Sequence, residues 1–554
     1  MIKKYIKQLD YNTILLFSLI VFNFIFKGYY ISYTSIAGDE PFSIFYAKLD
    51  LQTIINDLSS GNNPPLYEVL LHFWIKVFGT SSAAVRLLSL IFSSITVFYI
   101  YKLGKSFFNI RVAVYTALLF IFSNYQIYFA HEARVYALVG LLSVMSMYYY
   151  LKIIIHGDLQ RLTIIKLILI NVVLIYSHYF GFFVLLIQFI FLIANKELRT
   201  RYWKTVLLVT GAIFILYIPN SIVFINRFLD SSTNGTWLEP VVDLGNLHDI
   251  IHLFSNNSSL VYLLILFVIW FAAGTYVFKS GLNKILKYLI ILFLFPLFFL
   301  TGSSIFVETP HLLLLTREEN YVFFFLFIAF SFVLLVVFNH KSRIINIQTK
   351  LIVFWFWFPF LGMFIISLDS LPYTISMFNS RYLMMISIGF YLFIAISLDT
   401  ILKPSKKANF MLPIVLIYLF IFTSQPNIPN QRNVFQVVEK INEIRKENTL
   451  IIFCPRYFDL NLMYYFDNPF FVQAKSIEEV HLEFSRNNVY GLNSIKGIDL
   501  TNCDHIIFLD VSADFSYPKN NILNVLNDRY IQKSKHHVYE IFNIYEFEGE
   551  KKSD

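Results

Sequence analysis

Apolar runs of about 20 residues recur from Tyr11 to about Thr423, each long enough to cross a hydrocarbon core about 30 Å thick. Reading length and flanking charge together predicts about thirteen spans, at roughly 12–33, 84–103, 111–128, 135–155, 162–178, 180–195, 203–220, 259–278, 286–306, 320–339, 351–368, 382–402 and 409–424. The first run is too long for a signal-peptide core and lacks a small-residue cleavage site, so it reads as a retained span. The pair at 162–178 and 180–195 is divided only by "SHYFG", and a single broken segment is the other reading there.

Lysines and arginines fall on alternate connections, at Lys3/Lys4/Lys7, Lys102/Lys105/Arg111, Lys152/Arg161, Lys196/Arg199/Arg201/Lys204, Lys279/Lys284/Lys287, Lys341/Arg343/Lys350 and Lys403/Lys406/Lys407. By the positive-inside rule these connections are cytoplasmic, which puts the amino terminus inside and the carboxyl terminus outside. Two outer connections are long, 34–83 and 221–258, and irregular backbone at a membrane surface must be buried in protein or wetted by a cavity. From about Gln425 the pattern turns soluble. "TLIIFCP" and "HIIFLDV" read as buried strands, "NVFQVVEKINEIRKE" as an amphipathic helix and "HVYEIFNIYEFEGE" as a closing strand or hairpin. The organisation expected is a transmembrane domain over 1–424 and a small extracytoplasmic α/β domain over 425–554.

Composition agrees with this pattern. Of the 554 residues, 57% are hydrophobic and 14% charged, and the mean hydropathy of +0.61 excludes an ordinary soluble protein. The net charge of +8 is spread over short loops, which fits topology better than a nucleic-acid partner. Cys454 and Cys503 both follow the last apolar run, where a disulfide and two free buried thiols are equally good readings.

Charged groups at the outer ends of spans are few: Asp39, Glu40, Arg86, His131, Glu132, Arg134, His178, Glu308, Arg317, Glu318, Glu319 and Arg381. Solvation at a span end is the plainer account of Arg317, Glu318 and Glu319. Asp39 and "HEARVY" are different, because several ionisable groups stand at the mouths of consecutive spans. An acid can take the proton from an attacking hydroxyl, and a guanidinium can hold a leaving phosphate in bidentate geometry. That combination suits sugar transfer from a lipid phosphate.

The order of the acidic pair in "SIAGDEPF", then "NNPPLYEVLLHFWIKVFGTSSAAVRLLSLIF", "HEARVYAL", "SHYFGFFVLL" and the late "FNSRYLMM" resembles the bacterial GT-C glycosyltransferases related to protein O-mannosyltransferases and to the lipid A aminoarabinose transferase. The likeness is strongest over Ala37–Asn195 and returns at about Trp355–Ile396. It implies a GT-C fold, with Asp39 as the catalytic acid, Glu40 beside it, Glu132 as the second acid, and Arg134, Arg381 and Tyr382 near the donor phosphate. Tyr67, Arg86, His131, Tyr136 and His178 are candidate substrate contacts, and Trp74 and Trp237 are further candidates for stacking on a sugar. Acceptor specificity is expected within 221–340. His131 and His178 lack a third ligand at usable spacing, so hydrogen bonding is the better reading; no cofactor is expected, and a divalent metal is unsupported by the spacing.

The function expected is an integral-membrane hexosyl- or pentosyltransferase of a bacterial inner membrane. It would move a sugar from a polyprenyl-phosphate donor to an outer acceptor: lipid A, a surface polysaccharide or a protein. The alternative is a lipid or polysaccharide transporter, which would favour internal repeats and polar residues at mid-span depth.

Overall fold

A computed structural model of the chain describes residues 10–59, 64–234, 242, 244–279, 345–368, 377–402, 411–428 and 432–550, apart from 496, 497, 499, 501, 502, 518 and 540. The architecture is mostly helical with a small C-terminal sheet. Among the described residues seven helices are long and apolar enough to cross a membrane, or eight if one bent pair counts as a span; Gly181–Ala194 and Met411–Thr423 are shorter apolar helices. The expected spans at 286–306 and 320–339 lie outside the described residues.

Small residues and buried polar pairs hold the helices together, as is usual where lipid removes the hydrophobic drive between them. Gly104 lets Ser82–Phe107 approach Ile110–Phe122 so closely that a Cβ there would come within 2.5 Å of the Ala113 Cα. Residues 383–402 are buried throughout, and the Trp355 indole N–H fixes them to Ile347–Ile366 through the Met385 carbonyl at 2.9 Å. Next to the first cytoplasmic-type connection, Asp399 accepts from Arg111 at 2.7 Å and from Asn109 at 2.9 Å.

Two expectations change, and one ambiguity is resolved. The span expected at 111–128 is two helices, Ile110–Phe122 and Asn124–Ala130, bent by 65°. Ser123 takes an extended backbone there, and its hydroxyl caps the second helix by accepting from the Gln126 N–H. The pair divided by "SHYFG" is two helices as expected, Arg161–Ser177 and Gly181–Ala194, with His178 in an extended conformation between them. The outer connection expected from 221 is instead helical: Lys196–Asn234 runs on through Pro219, and Leu244–Phe254 forms a further helix. Apolar side chains keep helical spacing beyond the proline, with Phe224 packed against Tyr217 and Phe228.

The C-terminal region forms a five-stranded sheet from β1 (Leu450–Cys454), β2 (Val489–Gly491), β3 (His505–Val511), β4 (Tyr530–Tyr539) and β5 (Phe542–Glu550), in the order β2-β1-β3-β5-β4. β1 is parallel to β2 and β3, while β5 runs antiparallel to β3 and β4. β1 is buried throughout, which explains its unbroken apolar run. Helix Val434–Ile444 buries Val434, Val437, Val438 and Ile441, a single face. No disulfide joins Cys454 and Cys503. This region rests on the connection that follows the first span: Lys48 Nζ donates to the Ala474 carbonyl, the Tyr464 hydroxyl donates to the Thr80 carbonyl at 3.2 Å, and the Phe45 and Phe471 rings meet at 5.7 Å.

Candidate active site

Gly38 turns the chain at φ +64° into helix Glu40–Lys48, and Asp39 stands at the N-terminal end of that helix, where the backbone dipole favours a negative charge. Three distant segments meet around its carboxylate. Arg381 Nη1 donates to Asp39 Oδ2 at 2.7 Å, and Arg134 Nη2 lies 3.8 Å from the same oxygen. Arg381 is aimed by a 3-10 turn, Ser380–Leu383, whose cap Asn379 accepts the Arg381 N–H, while the Tyr125 hydroxyl holds the Ser380 carbonyl at 2.7 Å. Arg134 belongs to the tight turn between Asn124–Ala130 and Tyr136–His156. Its Nη1 donates to Ser43 Oγ at 2.7 Å and lies 3.5 Å from Glu68 Oε1, which Ser43 Oγ also reaches at 2.7 Å. The Asp39 side chain is 45% exposed, Arg381 27% and Arg134 11%, so the cluster has an open mouth.

The acids differ in environment. Burial alone would raise the Asp39 carboxyl, but Arg134, Arg381 and Arg432 overturn that and hold it below the ordinary range. Glu132 is buried, and desolvation, reinforced by Glu40 and Asp39, pushes its carboxyl up to about 7. Its Oε2 has no hydrogen-bond partner. Glu40, expected as an acid beside Asp39, is fully enclosed: it grips Arg86 through two hydrogen bonds of 2.8 and 2.7 Å and accepts the Ala133 N–H at 2.9 Å.

The expected substrate contacts divide in the same way. Tyr136 hydrogen-bonds Arg381 and lies 6.1 Å, ring to ring, from His178. His178 in turn packs on Tyr382 at 5.5 Å, so these three residues join the cluster. Tyr67 is fully buried against the Ser89 hydroxyl at 3.2 Å, and Arg86 is committed to Glu40. The His131 Nε2 lies 2.6 Å from the Lys27 carbonyl, with the ring buried. Trp74 donates to the Ala84 carbonyl at 2.8 Å and packs on Phe78. Glu308, Arg317, Glu318, Glu319 and Trp237 lie outside the described residues. Among the described residues no group of three or more His, Cys, Asp or Glu is placed to hold a metal.

Sequence reading missed Ser43, Glu68 and Arg432. Ser43 and Glu68 had a usable signal, since one lies a helical turn beyond Asp39 and the other sits in "PPLYEVLL" at the start of Leu66–Phe78. Arg432 had none, being about 390 residues away in a polar connector.

Beside the cluster, helices Arg161–Ser177, Gly181–Ala194 and Lys196–Asn234 enclose a cavity of about 650 Å³. Its walls are mostly apolar, with Leu167, Val209, Ile213, Phe182 and Phe224 among them, and the lining also includes His178 and Tyr382, the residue after Arg381. A pocket of this size and lining suits a long apolar ligand with one polar end.

Residues 62–223 match the dolichyl-phosphate-mannose-protein mannosyltransferase family, which bears out the resemblance drawn from the motifs. Among solved structures, the archaeal oligosaccharyltransferase AglB from Archaeoglobus fulgidus, in complex with an inhibitory peptide and a dolichol-phosphate, is 11% identical, covers 97% of this chain and 74% of its own, and has a TM-score of 0.46. ArnT from Cupriavidus metallidurans bound to undecaprenyl phosphate is also 11% identical, covers 96% of this chain and 97% of its own, and has a TM-score of 0.43. No curated protein matches the chain.

Proposed function

We propose that this chain, carrying the mannosyltransferase family's pattern over residues 62–223, is an integral-membrane glycosyltransferase that takes its sugar from a polyprenyl-phosphate donor. The observation that carries the reading is the adjacency of an open acid–arginine cluster to a largely apolar cavity, through Tyr382, which lines the cavity and follows Arg381 in the chain. The lipid tail lies in the cavity, and Arg381 and Arg134 hold the phosphate, with bidentate geometry available to each guanidinium.

In the transfer, the bond between the sugar's anomeric carbon and the phosphate oxygen breaks, and its electron pair stays on the phosphate. The acceptor oxygen forms the new bond to the anomeric carbon. Asp39, kept ionised by its arginines, aligns the acceptor hydroxyl and faces the positive charge that develops on the sugar. Glu132, near 7, is the better matched proton acceptor, because proton transfer works best when the group's pKa lies near the working pH. An acceptor that is itself a phosphate arrives ionised, and then only the aligning roles are needed. The C-terminal α/β region is the extracytoplasmic domain of a multi-pass inner-membrane protein, on the same side as Asp39.

The transporter alternative predicts polar groups along a path through the spans. The described ionisable residues around Asp39 instead gather at one face, in the geometry of a reaction site. Purified protein given a polyprenyl-phosphate sugar and its own cell membranes as acceptor source is expected to release free polyprenyl phosphate. Efficient transfer from a nucleotide sugar in place of the lipid donor would overturn the reading.

A further inference from the structure

The C-terminal domain touches the first outer loop at the residue just before Asp39. Asn461, on helix Asp459–Phe466, donates Nδ2 to the Gly38 carbonyl at 2.9 Å, and its Oδ1 is buried without a hydrogen-bond partner. Arg432, at the entry to helix Val434–Ile444, lays its guanidinium against Gly38 so closely that a Cβ at that position would overlap Nη1. Glycine at residue 38 suits the φ of +64°, and a side chain there would push the Arg432 guanidinium from its place. Arg432 is seated against Gly38, the residue before Asp39, and its charge acts on both Asp39 and Tyr128.

Three guanidiniums from three remote parts of the chain thus act on one carboxylate, two of them at 2.7 and 3.8 Å from it and the third against the preceding residue. Guanidiniums brought together repel one another, and a phosphate seated among them relieves the repulsion through charge-assisted hydrogen bonds. The demand is greatest for the leaving group. A sugar-linked lipid phosphate carries one negative charge, whereas the released monoester approaches two, as phosphate monoesters do near pH 7.

We infer that Arg432, delivered by the C-terminal domain and seated by Gly38, is a third phosphate ligand of the site and grips the lipid phosphate as it departs. This rests on the donor reading given above. It also gives the C-terminal domain a direct part in substrate binding, beyond docking.

The test is binding of undecaprenyl phosphate to the full chain in nanodiscs, with the neutral alcohol undecaprenol as the comparison. The wild-type chain is expected to prefer the phosphate. Arg432→Ala should weaken phosphate binding roughly tenfold, the scale of one charge-assisted contact, and leave undecaprenol binding unchanged. Arg432→Lys should recover part of the loss as a point charge, and Gly38→Ala should weaken phosphate binding by displacing the guanidinium. If Arg432→Ala does not fold, Arg432→Gln, which keeps most of the stem, takes the same reading. Phosphate affinity unchanged in Arg432→Ala, while Arg381→Ala loses it, would overturn this inference and leave the donor reading standing. A wild-type chain that binds the phosphate and the alcohol equally would remove the donor reading itself.

Discussion

Glu40 and Arg86 form a fully enclosed bidentate pair, with hydrogen bonds of 2.8 and 2.7 Å. Arg86 uses its remaining N–H groups on the carbonyls of Ile31, Thr34 and Ser35, and Glu40 also accepts the Ala133 N–H. One pair therefore ties the end of the first span, the first outer loop and the turn that carries Glu132 and Arg134. It fixes the frame in which Asp39, one residue away, is presented.

Breaking that pair from one side leaves a buried charge uncompensated, which typically costs about 3–5 kcal/mol. Arg86→Ala and Glu40→Ala should therefore lower the melting temperature and the folded yield in detergent sharply. Asp39→Asn, at a side chain 45% exposed, should leave both near the wild-type values. Equal losses for all three would remove the distinction between a structural Glu40 and a reactive Asp39.

Glu132 sets a pH dependence of stability. Its carboxyl is raised in the folded chain from 4.5 to about 7, so the folded state holds a proton that the unfolded chain has already released between those values. Stability from this group is complete below about 4.5 and is lost as pH rises through 7, by roughly 3 kcal/mol at 1.36 kcal/mol per unit. Glu132→Gln should flatten the fall in melting temperature between pH 5 and 8. An identical fall in the variant would place the titrating group elsewhere.

Gly104 is a packing prediction independent of function. A side chain there must displace the Ala113 backbone, at 2.5 Å from the Cα and 2.8 Å from the nitrogen. Gly104→Val should separate the two helices and reduce the yield of monodisperse protein, an effect of about 1–3 kcal/mol for an overpacked contact. Yield and melting temperature equal to wild type would show that the helices can part without cost.

The shared face of Asp39 and the C-terminal sheet gives a topology test. Asn461 and Arg432 both meet Gly38, so the sheet and the site must lie on the same side of the membrane. A reporter active only in the cytoplasm, fused after Asp554, should stay silent while the protein accumulates. Strong activity would put both the site and the sheet inside.

The apolar runs made most spans legible, because length and hydropathy alone decide whether a segment can cross a membrane. Breaks inside runs were harder to see. Ser123 and His178 interrupt helices through backbone conformation and capping, and neither is a glycine or a proline. The reverse happened after Pro219, where Lys196–Asn234 stays helical although a connection was expected from 221. Around the site, "DE" marked two adjacent acids, but sequence could not separate Asp39, whose side chain is 45% exposed, from Glu40, which Arg86 encloses. That division depends on a guanidinium 46 residues away. Arg432 is a contact of tertiary structure alone and left no local trace.

The central claim is that the Asp39–Arg381 pair, at 2.7 Å, stands at the reacting bond. The most direct measurement is turnover of a polyprenyl-phosphate sugar, followed as acceptor-dependent release of polyprenyl phosphate, in wild type, Asp39→Asn and Arg381→Ala with melting temperature measured alongside. The account expects both variants to fold normally and to lose about 10²–10⁴-fold in turnover, the range for a positioned acid or base and for a group that stabilises developing charge. Folded Asp39→Asn and Arg381→Ala proteins that turn over at the wild-type rate would contradict it.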